Sequence, residues 1–238
     1  MLDQNPTATM DHTSKEALLS HFLASSVHDM KNSVGMLSAS LEKLLGELDP
    51  QAFAAYQEMA HMLFEVRRVN GNLTQLLTLY KLGERLYPFD PQACSIAQCA
   101  LELESQNRAL LASRGITLYL ERPDELIWHF DEDLVNGVLN HAINNAIRYT
   151  HDKIRLAFAA REGRLEIRVE DNGAGYPQAL LAAPAAAQGV NFRSGSTGLG
   201  LHFAREVASL HRHREQQGTL RLENGGALGG GCFILELP

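Results

Sequence analysis

Between Leu23 and Leu48 the apolar residues recur at alternating spacings of four and three positions. The members of this seam are Leu23, Val27, Met30, Val34, Leu37, Leu41, Leu44 and Leu48. Such an uninterrupted heptad pattern keeps one apolar stripe along a helix and is typical of left-handed helical bundles. The pattern therefore predicts a long helix. It should end at Pro50 in GELDPQ, because proline cannot continue a helix.

A second seam with the same alternation follows this proline. Its members are Ala52, Tyr56, Met59, Leu63, Val66, Asn70, Leu73, Leu77 and Tyr80. Two helices of similar length joined by a short link predict an antiparallel hairpin. A lone hairpin leaves much of its apolar surface in water, whereas two copies packed as a four-helix bundle cover it. We therefore predict a homodimer formed through residues 23–80.

Composition excludes several other classes of protein. The formal net charge is −7, with 21 basic and 28 acidic residues, which argues against nucleic-acid binding. No apolar run approaches the roughly 18–20 residues that span a bilayer, and no signal peptide is visible. The three cysteines lack metal-site spacing. These observations favour a reduced, cytoplasmic protein without a membrane span.

The second half of the chain has a different pattern. Residues 92–113 predict an amphipathic helix, GITLYLE and ELIWHF predict strands, and a helix should follow Asp131 as its N-cap. KIRLAFAA and RLEIRVED alternate apolar and polar residues and predict a hairpin. A helix should begin near Gly198, and TLRLEN and CFILELP predict the last strands. This mixed order predicts an α+β sandwich with helices on one face of a sheet.

Three motifs in this half carry chemistry. NNAIRYT provides the amide oxygen of Asn145, a hard neutral ligand that suits Mg²⁺. EDNGAG places an acid at a strand end before two glycines, and GSTGLGL lets backbone N–H groups approach a phosphate at a helix start. Alone, each motif is equally consistent with a helix end, a turn or a tight connection. Their order in one domain is far more specific.

With VHDMKN in the first helix, these motifs make the chain resemble the transmitter core of bacterial two-component sensor histidine kinases. VHDMKN is similar to the H box, NNAIRYT to the N box, and DNGAG and STGLGL to the two glycine boxes. The resemblance implies an α+β protein in which a dimerising phosphotransfer hairpin precedes an ATPase domain of the GHKL type. The expected boundaries are a disordered N-terminus at 1–13, the hairpin at 14–83 and the ATP-binding domain at 84–238.

The resemblance implies that His28 is the phosphoacceptor. His28 follows the seam residue Val27, so it lies at the edge of the apolar stripe, where a second protein can reach it. Asp29 would accept or orient the imidazole proton. Asn32 lies one helical turn away on the same face. It would orient the water that removes phosphate from a partner.

The remaining implied roles concern ATP and Mg²⁺. Asn145 would bind Mg²⁺, Arg148 the phosphates, Tyr149 the adenine ring, and Asp171 the adenine amino group. The nucleotide-binding glycine boxes would contribute Gly173, Gly175, Thr197, Gly198, Leu199 and Gly200. Gly173 and Gly175 would form one hinge of a nucleotide lid, and Gly198 and Gly200 would hold its other end.

The implied function is an ATP-dependent protein histidine kinase. It would phosphorylate His28 and pass the phosphoryl group to an aspartate on the receiver domain of a response regulator, with dephosphorylation of that receiver as a second activity. The signal would come from a separate sensor protein, or the chain would be part of a longer kinase. A GHKL serine kinase of a sigma-factor system fits less well, because such kinases lack the hairpin.

The chain departs from the family pattern in four places, and two of these departures, at His141 and in the lid, motivate an alternative. His141 occupies a position where many N boxes have asparagine, and Ser33 replaces a common proline. The alanine-rich lid segment contains only Phe192 where paired phenylalanines are usual, and we expect it to be mobile without nucleotide. LHRHREQQG replaces a glycine-rich turn and is interpreted as a solvated basic turn. The alternative function is a phosphotransfer or scaffold protein that keeps the kinase fold but binds ATP poorly.

Overall fold

The computed structural model describes residues 7–48, 55–182 and 198–238, with the side chains of the first helix described from Ala24 onward. Helices α1 (Thr7–Glu47) and α2 (Tyr56–Gly83) form the predicted hairpin. Leu45 of α1 packs against Ala60 and Leu63 of α2 in a small buried cluster. The antiparallel order follows from this contact between the end of α1 and the beginning of α2.

The first helix begins earlier than the sequence predicts. The expected disorder of residues 1–13 is wrong from Thr7 onward, because α1 starts at that residue. Residues 7–13 contain neither glycine nor proline. Pro6, a residue type favoured at helix starts, precedes them. Adding residues to an existing helix costs far less than nucleating a new one, so α1 continues towards the N-terminus.

One side of the hairpin stays uncovered within a single chain. The seam residues Met30, Leu37 and Leu44 are exposed, with relative exposures of 50%, 57% and 47%. They recur once per heptad, so they form a continuous apolar line along α1 that α2 does not cover.

The second unit contains the remaining elements. They are β1 (Gln92–Ser95), α3 (Ile96–Ser113), β2 (Thr117–Glu121), β3 (Ile127–Phe130), α4 (Glu132–Tyr149), β4 (Lys153–Arg161), β5 (Arg164–Asp171), α5 (Gln178–Ala182), α6 (Leu199–Leu210), β6 (Arg212–His213), β7 (Gln216–Gln217), β8 (Thr219–Asn224) and β9 (Gly231–Leu237). The main sheet has the order β2-β4-β5-β9-β8. The β2–β4 pair is parallel and the other pairs are antiparallel.

Helices α3, α4 and α6 pack on one face of this sheet, as the sequence predicts. Ile143 of α4 and Phe203 of α6 are buried in the same core as Leu156 of β4 and Phe233 of β9. The opposite face carries ion pairs, in which Arg155 joins Glu121 and the buried Glu170. The fold is therefore the expected α+β sandwich behind a helical hairpin.

The predicted helix over residues 92–113 is shorter in the structure, because its first four residues form strand β1. This strand pairs with β3, so that Gln92 lies opposite Phe130. Ser95 then caps α3 by accepting the N–H of Gln98. An N-cap residue has an extended backbone, which fits the end of a strand as well as the start of a helix.

The hairpin and the second unit touch along α2. Arg67 donates to the Glu42 carboxylate of α1 and to the backbone oxygen of Gln106 in α3. Arg114 at the end of α3 lies over the Phe64 ring, 4.3 Å from its centroid. In the described part of the chain, none of the helices is long and apolar enough to cross a membrane.

The interpretation of LHRHREQQG as a solvated turn is wrong for His211. This residue is buried, and its Nε2 accepts the backbone N–H of Asp131 at 3.0 Å. The side chain of Asp131 accepts from Tyr87 and from the backbone N–H of Asp90. The segment that leaves α2 is thereby tied to the start of α4 and the end of α6.

Candidate functional site

Helix α4 places the N-box residues. Its N-cap Asp131 accepts the N–H of Leu134, as predicted, and Ile143 and Ile147 are buried on the core side. The opposite side of the last turns carries Arg148 and Tyr149, both of which are exposed. The Arg148 guanidinium lies 5.4 Å from the centre of the Tyr149 ring. The helix therefore presents a cation and an aromatic face next to Asn145.

Asn145 is held by the residue one turn before it. Its Nδ2 lies 2.9 Å from Nε2 of His141. Burial lowers the pKa of His141 to about 4, so the ring is neutral near pH 7. A neutral ring protonated at Nδ1 accepts at Nε2, and the Asn145 amide oxygen then faces the other way. Because the amide oxygen faces away from the His141 ring, it is available as a ligand for Mg²⁺.

Asp171 lies at the end of β5 and is 7% exposed. Its Oδ1 accepts the backbone N–H groups of Gly173 at 2.8 Å and Gly231 at 3.2 Å. A Cβ at Gly173 would overlap the backbone oxygen of Tyr149, so glycine is needed for the loop to lie this close to α4. The glycines hold a carboxylate acceptor beside the end of α4.

Gly175 and Tyr176, which follow this loop, are held in place where the chain leaves the sheet. Gly175 has a φ of +78°, a conformation that favours glycine. Asn224 of β8 accepts the N–H of Tyr176 at 2.7 Å and donates to the Tyr176 oxygen at 2.9 Å. The sequence gives no signal for Asn224, because it lies far along the chain from the glycine box.

The second glycine box begins α6. Gly198 is its N-cap with a φ of 63°, and Leu199 is the first helical residue. A Cβ at Gly200 would overlap the His141 ring, so α6 contacts α4 directly beside Asn145. The predicted lid lies between Gly175 and Gly195, and its first residues, including α5 (Gln178–Ala182), are described. Thr197 and residues 183–194 of the lid, which include Phe192, lie outside the described residues.

Asn172 is a residue of the DNGAG motif for which the sequence predicts no role. Its Oδ1 accepts from the Thr150 hydroxyl and from the backbone N–H of Lys153, at 2.7 Å and 3.1 Å. Its Nδ2 donates to Asp152 at 2.7 Å. Asn172 thus ties the turn after α4 to the loop that carries Asp171. The motif alone did not reveal this, because asparagine is common in any turn.

The three predicted H-box residues lie together on α1. The His28 side chain is 56% exposed. The Asn32 amide lies 3.3 Å from His28 Nδ1, and an Asp29 carboxylate oxygen lies 3.7 Å from the same nitrogen. Within the described part of the chain, both polar contacts of the ring are at Nδ1. The second ring nitrogen, Nε2, therefore points away from them.

The structure does not bring His28 to the Asn145 site. Glu42 of α1 is linked through Arg67 to Gln106, whose side chain accepts from Asn140 of α4. His28 lies on the N-terminal side of Glu42, about 20 Å along the helix at about 1.5 Å per residue. The two groups of predicted residues are therefore separate in this arrangement.

Residues 130–238 match the family model described as "Histidine kinase-, DNA gyrase B-, and HSP90-like ATPase". The fold and the glycine-lined site of residues 130–238 are thus similar to those of ATPase domains of this class. Curated relatives narrow the resemblance to the transmitter core of two-component sensor histidine kinases, as the motifs predict. The chain is similar to the phosphate regulon sensor protein PhoR of Pseudomonas aeruginosa, at 26% identity over 84% of this chain and 46% of the relative.

Two further relatives carry similar names. The sensor-like histidine kinase SenX3 of Mycolicibacterium smegmatis is 26% identical, over 96% of this chain and 59% of the relative. The sensor histidine kinase MtrB of Mycolicibacterium paratuberculosis is 29% identical, over 81% of this chain and 34% of the relative. The chain therefore spans about half the length, 46% and 59%, of the first relatives it matches.

Solved structures agree on the fold. The catalytic domain of histidine kinase ThkA covers 63% of this chain and 95% of its own, with a TM-score of 0.53 and 20% identity. Full-length ShkA in complex with AMPPNP covers 94% of this chain and 45% of its own, with a TM-score of 0.61 and 20% identity. The second match includes both the hairpin and the sandwich.

Proposed function

We propose that this chain is an ATP-dependent protein histidine kinase that phosphorylates His28. The observation that carries the proposal is the H-box geometry: an exposed imidazole contacted only at Nδ1 by described residues, on the same chain as an ATPase domain. The phosphoryl group then passes to an aspartate on the receiver domain of a response regulator. ATP is a cytoplasmic metabolite, so the reaction would take place there.

The residues of the second unit fit a nucleotide. Asp171 offers an acceptor for the adenine amino group, and Tyr149 offers an exposed aromatic face. Gly198 and Gly200 place backbone N–H groups at the start of α6, where an anion is favoured. Arg148 adds a positive charge for the phosphates. These are the roles that the resemblance assigns to the same residues.

The site also fits Mg²⁺. The described residues contain no cluster of three or more acidic, histidine or cysteine side chains that would hold a metal by themselves. Asn145 offers one amide oxygen, which suits Mg²⁺ because this ion usually keeps several waters and binds substrate phosphates. When bound, the metal would neutralise charge on the phosphates.

The chemistry at His28 follows from its contacts. When Nδ1 carries the proton and donates it toward Asp29, Nδ1 no longer accepts from the Asn32 Nδ2. The lone pair of Nε2 then attacks the γ-phosphorus, forming a P–N bond while the P–O bond to the β-phosphate breaks. ADP leaves with the bonding electrons. Asp29 stabilises the positive ring and can accept its Nδ1 proton. A receiver carboxylate oxygen then attacks the same phosphorus, and the P–N electrons return to His28.

Asn32 supports dephosphorylation of the receiver as a second activity. Its amide lies one turn from His28 on the exposed face of α1. When a phosphorylated receiver covers that face, the amide can hold a water in line with the acyl phosphate. The water attacks phosphorus, and the receiver aspartate leaves as a carboxylate.

Homodimerisation is part of the same proposal. Met30, Leu37 and Leu44 form an exposed apolar line on the hairpin. A second hairpin would cover this line and complete a four-helix bundle. The bundle would keep His28 at its edge, where both the ATPase domain and the receiver can reach it.

The test uses γ-labelled ATP on the full chain. We expect label on the wild type and none on His28→Ala, whereas His213→Ala, at another exposed histidine, should keep full labelling. Equal melting temperatures would show that both variants fold. Retention of label by His28→Ala would overturn the proposal. A chase with receiver proteins then identifies the partner that takes the label.

The alternative, a scaffold with poor ATP binding, is motivated by His141 and the lid. Titration of Mg²⁺ and ATP into the full chain by calorimetry separates the two functions. Micromolar binding removes the alternative. Absence of detectable binding, together with uptake of phosphate by His28 from a phosphorylated receiver, would favour it.

A further inference from the structure

His141 is a histidine of the second unit to which neither the resemblance nor the proposed chemistry gives a role. It lies one helical turn before Asn145 on α4, and the two side chains meet through Nε2 and Nδ2 at 2.9 Å. An amide that donates through nitrogen presents its oxygen on the opposite side. With the ring proton on Nδ1, Nε2 accepts, and the contact selects the orientation of the Asn145 amide in which Nδ2 faces the ring.

The surroundings of His141 keep the ring in place. The space into which a Cβ at Gly200 would project is filled by the ring, so any other residue there would require the ring to move. The side chain is thus packed between its own helix and the start of α6. A ring fixed in this way can orient Asn145 without touching a ligand.

We propose that His141 is a positioning residue of the magnesium–nucleotide site, which turns the Asn145 oxygen toward the metal and sets the spacing between α4 and the start of α6. The inference rests on the proposed function, because it assumes that Asn145 binds Mg²⁺. Histidine at position 141, where many N boxes have asparagine, is then no sign of a weakened site. Histidine here supports the site in place of the usual asparagine.

Partners of metal ligands generally matter, because they fix the orientation of the ligand. Their loss typically reduces metal affinity by about 10–100-fold. The effect expected here is specific. Removing the acceptor should weaken nucleotide binding in the presence of Mg²⁺, whereas binding of metal-free ATP should change little, because Asn145 contributes to the latter only slightly.

The experiment compares two variants of the full chain. His141→Leu keeps a side chain of similar volume but cannot accept a hydrogen bond. His141→Gln provides an oxygen that can accept the Asn145 N–H. Calorimetry measures ATP binding by each protein with Mg²⁺ and again with the chelator EDTA. Melting temperatures report whether each variant folds.

We expect wild type to bind ATP more tightly with Mg²⁺ than with EDTA. In His141→Leu that advantage should fall by about tenfold or more, with metal-free affinity within about twofold of wild type. His141→Gln should keep most of it. An equal loss with and without Mg²⁺, or an unchanged or larger metal advantage in His141→Leu, would overturn the proposal.

Failure of the proposed function would look different. Wild type that binds Mg²⁺ and ATP yet takes up no label at His28 contradicts the kinase function while leaving the role of His141 open to the same measurement. Wild type without any advantage from Mg²⁺ would contradict both. A normal wild type with an unaltered His141→Leu contradicts only the role of His141.

Discussion

At the residue scale, Asp171 illustrates how the site prepares one acceptor. Two glycine N–H groups bind the same carboxylate oxygen, Oδ1. The bound oxygen fixes the orientation of the side chain, which leaves the second oxygen, Oδ2, for a ligand. A carboxylate accepts only, so a donor such as the adenine amino group is the matching partner.

The first prediction concerns Asp171→Asn. The amide oxygen should keep the glycine contacts, which places the NH₂ group where the adenine amino group would donate. Two donors then face each other, and we expect ATP affinity to fall by about tenfold or more, since an unmade buried hydrogen bond costs about 1–3 kcal/mol. Calorimetry measures the affinity, and thermal melting checks the fold. Unchanged affinity would remove Asp171 from the site.

Sequence reasoning finds residues whose chemistry is local and misses those whose partners are distant. His28 and Asn32 lie one helical turn apart, so their meeting follows from helix geometry, and Asp29 is the chain neighbour of His28. Asn224 acts on Tyr176 from the other end of the domain, and nothing near either residue predicts the pair. Asn172 lies inside a recognised motif, yet its partners on the turn after α4 appear only in the fold.

At the element scale, His211 joins three segments. Its Nδ1 donates to the Val207 oxygen of α6, and its Nε2 accepts the N–H of Asp131 before α4. Phe89, in the segment that follows α2, contacts the ring edge-to-face at 5.1 Å between centroids. The contact at Nε2 requires neutral histidine, because a protonated ring has no acceptor, whereas the Nδ1 contact can be made by either form of the ring.

The second prediction follows from the pKa of His211. Burial lowers this pKa from 6.5, although the Val207 and Asp131 contacts raise it in part. Below pH 6.5 the His211 side chain binds a proton in the unfolded chain, whereas in the folded chain it stays neutral until the pH is lower. The stabilisation is therefore complete above that pH and is lost as the pH falls toward the folded pKa.

Denaturant unfolding at a series of pH values checks this expectation. The free energy of unfolding should fall between pH 7 and pH 5 in the wild type. His211→Gln, which can keep one acceptor and one donor, should show a flatter profile. Parallel profiles for the two proteins would mean that His211 does not link pH to stability.

Elements with strong periodicity were predicted well. The two heptad seams predict α1 and α2, and strict alternation predicts β4 and β5. Strand β1 was missed, because Gln92–Ser95 is too short to show a period of its own and its strand state depends on pairing with β3. The early start of α1 was missed since residues 7–13 have no apolar stripe.

At the scale of the whole molecule, the contacts along α2 hold the second unit, which carries the proposed nucleotide site, away from His28. Arg67 joins Glu42 of α1 to the Gln106 oxygen of α3. The proposed phosphorylation of His28, by its own subunit or by a partner, would require the second unit to leave this position. The docked arrangement should therefore limit the rate of phosphorylation.

The third prediction is that Arg67→Ala phosphorylates His28 faster than wild type. Loss of one hydrogen bond worth about 1 kcal/mol predicts an increase of about fivefold. The matched control is Arg68→Ala, because Arg68 pairs with Glu65 inside α2 and does not reach α3. Initial rates of labelling from ATP provide the measurement. A rate at or below wild type for Arg67→Ala would contradict the docking argument.

The fourth prediction concerns the dimer. Leu37→Glu places a charge on the exposed seam, and burial of two such charges should weaken association by at least about a hundredfold. Met36→Glu, one residue off the seam and also exposed, should stay dimeric. Light scattering over a concentration series measures the mass. Wild type that is monomeric at high concentration would rule out the four-helix bundle.

The most direct test of the central claim locates the phosphoryl group itself. Wild-type chain labelled with ¹⁵N in histidine is incubated with Mg²⁺ and ATP, and phosphorus–nitrogen NMR identifies the bonded atom. We predict one phosphoramidate, at Nε2 of His28, because Nδ1 is the nitrogen that contacts Asp29 and Asn32. The signal should be absent from Asn145→Ala. A phosphoryl group at Nδ1, on another residue, or on no residue would contradict the account.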